Sequence, residues 1–115
     1  MTTMDASTRL SPAELRELYE QMVLIRVFET ESERQYKAAK IGGYCHLSSG
    51  QEAATVGVVH TMQPDDMLVT GYRCHGFALA RGVSPEAVMA ELFGRADGCA
   101  PVSYTHLTLP TILRV

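Results

Sequence analysis

The chain has 115 residues, 46% apolar and 20% charged, with a net charge of −3. This composition fits one globular domain and excludes a disordered chain. The basic residues are scattered singly (Arg26, Arg34, Lys37, Lys40, Arg73, Arg81), which argues against nucleic-acid binding, and no apolar run approaches the roughly 20 residues of a membrane span.

Residues 1–10 read as a loose polar tail. They lack the basic-then-apolar pattern of a signal peptide and the Arg-rich pattern of a transit peptide, so a cytoplasmic protein is expected. Ser11-Pro12-Ala13-Glu14 then predicts a helix start. Ser11 can cap, Pro12 suits the first helical position, and Glu14 completes a capping box. The helix is expected to run to about Lys40. Leu15, Leu18, Met22, Ile25 and Phe28, with Tyr19 and Val23 beside them, form its apolar stripe. Glu29, Glu31, Glu33, Arg34 and Lys37 are expected to cover the later turns with charge, and Gly42-Gly43 to end the helix.

Tyr44-Cys45-His46-Leu47-Ser48-Ser49-Gly50 follows as a loop. Gln51 to about Met62 reads as a second helix, whose Ala53, Ala54 and Gly57 suggest close packing on a neighbour. Pro64-Asp65-Asp66 marks a turn, and Met67 to Thr70 a short buried strand. Gly71 to Gly76 reads as a loop. Phe77 to Ala80 starts a short helix, and Ser84-Pro85-Glu86 opens another that reaches Phe93 and stops at Gly94. One strand makes no sheet, and an α/β fold would need parallel partners that the chain does not supply. An incomplete chain is therefore expected.

After Ala100 the character changes. Residues 101–115 hold no acidic residue and no helical period. Val102 to Thr111 resembles a translated frame of a transposase adapter used to prepare DNA sequencing libraries, so residues 101–115 are expected to be non-native. Cys45, Cys74 and Cys99 are too widely spaced for a zinc motif and read as reduced thiols.

The loops around His46 and around Tyr72-Arg73 carry the unusual chemistry. A lone histidine is more often a packed structural group than a catalyst. The second loop gains from its place at the carboxyl end of the strand, where ligands of α/β sheets bind. Gly71 and Gly76 would allow backbone near a ligand, Arg73 offers a planar donor fork suited to phosphate, and Tyr72 adds a hydroxyl. No Walker loop, GxGxxG, HExxH or GxSxG is present.

Gly43-Tyr44-Cys45-His46-Leu47 with Gly50-Gln51-Glu52-Ala53, then Gly71-Tyr72-Arg73 with His75-Gly76, then Ala90 to Arg95, resembles the α subunits of the E1 component of pyruvate-dehydrogenase-type complexes. The resemblance covers about residues 11–100. It implies the N-terminal part of a thiamine-diphosphate-binding α/β domain with a parallel sheet, mostly helical over this stretch. It also implies oxidative decarboxylation of a 2-oxo acid with acyl transfer to a lipoyl-bearing E2, in an α₂β₂ assembly with an E1 β subunit.

By that resemblance Tyr72 and Arg73 bind thiamine diphosphate, with Arg73 on the diphosphate. His46 and Tyr72 lie at the substrate, and His46 and His75 are the catalytic candidates. His75 would orient the cofactor loop or cap the next helix. Gln51 and His75 favour pyruvate, with an acetoin dehydrogenase α subunit as the alternative within the family and a non-enzymatic helical interaction module outside it. The family's magnesium motif, Gly-Asp-Gly followed by Asn, is absent, and Asp97-Gly98 does not substitute for it. This chain alone is therefore expected to be inactive.

Overall fold

A computed structural model describes residues 9–99 and the backbone of Thr111–Leu113. The elements are α1 (Pro12–Lys37), α2 (Glu52–His60), β1 (Leu68–Thr70), α3 (His75–Ala80), α4 (Pro85–Leu92) and β2 (Thr111–Leu113). Most of the tail at 1–10, and the side chains of the segment expected to be adapter-derived, lie outside the described residues.

α1 begins as its sequence dictates. The Ser11 hydroxyl accepts from the Glu14 N–H at 3.2 Å, and the Glu14 carboxylate accepts from the Ser11 N–H at 2.7 Å. Two amide groups that the helix itself leaves unpaired are thereby satisfied. The helix ends at Lys37, earlier than expected, and not at the glycines. Ala39 makes the turn with a left-handed φ of 59°. That conformation costs an alanine about 1 kcal/mol, and it returns the chain so that Ile41 is buried.

The apolar stripe is buried only in its middle. Ile25 and Phe28 are enclosed, Leu18 and Met22 pack partly against them, and Leu15, Tyr19 and Val23 face outward. Beyond Phe28 the buried positions are Glu29 and Ser32. Glu29 is 0% exposed, so it does not belong to the charged cover on which the sequence placed it. The reason is phase: Met22, Ile25, Glu29 and Ser32 recur every three to four residues and share one face.

α1, α2 and α3 pack on one another, and α4 packs on α3. Their shared core is Ile25, Phe28, Val56, Cys74, Ala78, Leu79 and Val88. α2 buries Glu52, Thr55 and Val56. The expected close packing through Ala53, Ala54 and Gly57 does not occur, because these three lie on the opposite, exposed face. The close approach comes instead from Gly76. A Cβ there would lie 3.2 Å from Cγ2 of Thr55 and 3.3 Å from Cγ2 of Ile25. Gly76 therefore serves helix packing, and α3 starts at His75, ahead of the expected Phe77. α4 starts where Ser84 accepts from the Ala87 N–H at 3.2 Å, with Pro85 in the first turn.

β1 is half-buried, with Val69 exposed, and it pairs antiparallel with β2 in the register Leu68 to Leu113, Val69 to Ile112 and Thr70 to Thr111. The described molecule is thus mostly helical with little sheet. Among the described residues β1 has an antiparallel neighbour and no parallel one, and the sequence expects the parallel partners of an α/β sheet to lie outside this chain. No helix among the described residues is long and apolar enough to cross a membrane.

Candidate functional site

The loop after α1 and the loop after β1 meet. The first carries Tyr44, His46 and Leu47, and the second Tyr72 and Arg73. The His46 ring lies between two tyrosines. It stacks on Tyr44 at 5.9 Å between centroids with planes 13° apart, and it meets Tyr72 at 4.9 Å with planes 49° apart. Tyr44 is 80% and Tyr72 54% exposed, while His46 is half-buried between them. Such contacts orient an imidazole while leaving one edge open to a ligand.

Arg73 ties the second loop to the first. Its Nε donates to the Leu47 carbonyl at 3.1 Å, and its guanidinium carbon sits 5.0 Å from the centre of the Tyr72 ring. Its backbone is left-handed, with φ of 62°. A non-glycine residue is held there only when its surroundings over-determine it. Among the described residues, no side chain or carbonyl takes up the terminal amino groups of Arg73. An exposed guanidinium with its outer donors available, beside an aromatic ring, suits a phosphate-bearing group.

Beneath this surface lies a buried polar group. Oε2 of Glu29 accepts from the Ser48 N–H at 2.6 Å and from the Ser48 hydroxyl at 3.4 Å. Oε1 of Glu29 accepts from Nδ1 of His75 at 2.7 Å. The His75 ring is 1% exposed and meets Phe28 edge-on at 6.1 Å. The structure therefore brings together His46, Tyr72 and Arg73 of the expected site and places His75 below them, in the core. An enclosed ring does not touch a ligand on the outer surface, and the residue at the cap position of α3 is Cys74, which makes no side-chain capping bond.

The surrounding groups hold the loops in place. Arg26 pairs with Glu52 at the start of α2 and lowers the Glu52 carboxyl to about 2, chiefly by hydrogen bonding. Arg81 donates to the carbonyls of Gln63 and Pro64 at 3.3 Å and of Asp66 at 2.8 Å, fixing the turn before β1. Burial pushes the Cys74 thiol up to about 12 and Cys45 to about 11. None of the three cysteines is joined in a disulfide, and thiols so protonated are poor nucleophiles. An apolar groove of about 520 Å³ between α1 and α4, lined by Leu24, Val27, Phe28, Met89 and Phe93 among others, contains none of His46, Tyr72 and Arg73.

This pairing of loops can be set against known proteins. Residues 20–109 match the family model described as the dehydrogenase E1 component. The chain belongs to the dehydrogenase E1 component family. Among its relatives is a mitochondrial pyruvate dehydrogenase E1 component subunit alpha of Saccharomyces cerevisiae, 49% identical over 87% of this chain and 23% of that protein. The Chaetomium thermophilum protein of the same name is 47% identical over 76% of this chain and 21% of its own length. The Zymomonas mobilis pyruvate dehydrogenase E1 component subunit alpha is 50% identical over 74% of this chain and 24% of its own.

The chain thus spans about a quarter of the length of these relatives. The expectation of a cytoplasmic protein is corrected here. The yeast, Chaetomium and Schizosaccharomyces pombe relatives are named mitochondrial, and the Zymomonas relative is bacterial. The polar character of residues 1–10 therefore does not decide the compartment.

Proposed function

We propose that this chain is part of the α subunit of a pyruvate dehydrogenase E1 component, and that the His46, Tyr72 and Arg73 cluster is its share of the active site. The observation that carries this is the meeting of the two loops: an imidazole between two rings, beside a guanidinium whose outer donors face solvent. The names of the relatives favour pyruvate over acetoin, and family membership leaves no reason to prefer a plain helical module.

The residues present fit one side of thiamine diphosphate. Arg73 would hold a diphosphate oxygen through its outer amino groups, with Tyr72 beside it. When bound, that cofactor supplies the electron sink for loss of carbon dioxide from a 2-oxo acid. His46 would hydrogen-bond the substrate carboxylate or the oxygen that gains charge. Among the described residues no group of three or more His, Cys, Asp or Glu side chains could hold a metal. The magnesium site, the parallel sheet, the E1 β subunit of an α₂β₂ assembly and the lipoyl-bearing E2 would complete the machinery beyond these residues.

The test is a pair of substitutions in the assembled α₂β₂ enzyme carrying these residues. His46→Ala should lower kcat about 100-fold while changing cofactor affinity little. Arg73→Ala should raise the thiamine diphosphate Kd about 10-fold or more, the expected loss of one charge-assisted hydrogen bond. Unchanged cofactor affinity in Arg73→Ala would refute the assignment.

A further inference from the structure

We propose that Glu29 is a positioning residue that sets the spacing of the two site loops. The two loops are not joined by secondary structure. They leave different elements, with His46 following α1 and α2 still ahead, and Tyr72 following β1. Their direct contacts include the His46–Tyr72 ring pair and the Arg73 Nε bond to Leu47, both at the surface, where water competes.

Glu29 joins the same loops from below, out of water. One carboxylate oxygen holds the backbone N–H of Ser48, two residues after His46. The other holds Nδ1 of His75, two residues after Arg73. The carboxylate and the ring are 0% and 1% exposed, so these bonds act in a low dielectric and cannot be exchanged for bonds to solvent. A carboxylate only accepts, so the ring donates through Nδ1, which fixes its tautomer and orientation. The backbone around Ser48 is also pinned by Gln51, whose N–H donates to the Ser48 carbonyl at 2.9 Å. The His75 end is pinned by Gly76, wedged against Thr55 and Ile25. Each arm of the bridge therefore ends on rigid backbone. Moving the carboxylate moves both loops.

The functional meaning of this role rests on the reading of the loops as a cofactor and substrate site; the positioning itself does not. Proton NMR on the 115-residue chain separates the two. The unsubstituted chain should show nuclear Overhauser contacts between the His46 and Tyr72 rings. Glu29→Ala should abolish them while α4 keeps its helical amide contacts, and Glu29→Gln, which can still accept from Ser48 and donate to a reoriented imidazole, should restore them. Persistence of the ring contact in Glu29→Ala with α4 intact overturns the proposal.

Should Glu29→Ala unfold the chain, His75→Phe tests one arm alone, because it keeps a ring against Phe28. An unchanged His46–Tyr72 contact there overturns the proposal equally. Titration of the unsubstituted chain with inorganic pyrophosphate, followed at the Arg73 Nε–H, addresses the other reading. A shift supports a phosphate site on these loops. Lost ring contacts in Glu29→Ala with no pyrophosphate shift leave Glu29's role standing and remove the phosphate reading.

Discussion

The two histidines of the candidate loops sit in opposite surroundings. His46 lies at the rim, between two exposed tyrosines, where its ring can meet a ligand. His75 lies in the floor, enclosed and bonded to a buried carboxylate. Both belong to short motifs rich in glycine and aromatic residues, yet one is open to solvent and the other is enclosed and bonded within the core. The difference teaches that one short motif can mix groups open to solvent with groups that brace the core. Burial, and not residue type, separates them.

The largest expected effect sharpens that contrast directly. His75→Ala leaves the Glu29 carboxylate buried with one partner lost, and should cost about 3 kcal/mol or more, as broken buried pairs do. His46→Ala should cost less than about 1 kcal/mol, since it removes only half-exposed ring contacts. Chemical denaturation of the two variants checks this, and equal costs would erase the distinction between rim and floor.

A second, smaller effect compares two glycines. Gly76→Ala forces a methyl against Thr55 and Ile25 and should cost about 1–3 kcal/mol. Gly57→Ala meets open space on the exposed face of α2 and should stabilise by about 0.5–1 kcal/mol. Thermal melting curves that move in the same direction for both would contradict the packing described.

The smallest effect lies in acid. Glu52 ordinarily titrates at 4.5, and Arg26 lowers it to about 2 in the folded chain. The folded value is depressed, so the pair stabilises fully above about pH 4.5 and is lost as pH falls toward 2. Arg26 is 61% exposed, so water screens the pair and its worth stays small. The stability difference between the parent and Glu52→Gln should therefore shrink to nothing by about pH 2. A difference that persists there would show that Glu52 acts through packing and not through charge.

Much of the local structure was legible in the chain. The Ser11–Glu14 box, the Pro85 start and the stop near Gly94 follow from capping chemistry that involves only neighbours in sequence. The meeting of the His46 and Tyr72 loops was legible only through the resemblance of the motifs, since residues that far apart share no local signal. Glu29 was within reach of the sequence, because it falls in phase with Met22 and Ile25. A glutamate among apolar positions was read as a surface charge, and no local rule states that a partner waits opposite it.

Residue type and spacing alone thus determined the capped starts of α1 and α4 and which two loops hold the unusual chemistry, while the family came from the resemblance of the motifs. Tertiary structure decided the direction each residue faces. It turned Ala53, Ala54 and Gly57 outward, gave Gly76 to helix packing, ended α1 at Lys37 ahead of the turn at Ala39, and sank His75 onto Glu29 while leaving His46 at the surface. The physical reason is that capping and periodicity are short-range, whereas the burial of a polar group depends on a hydrogen-bond partner that only the folded chain brings within reach.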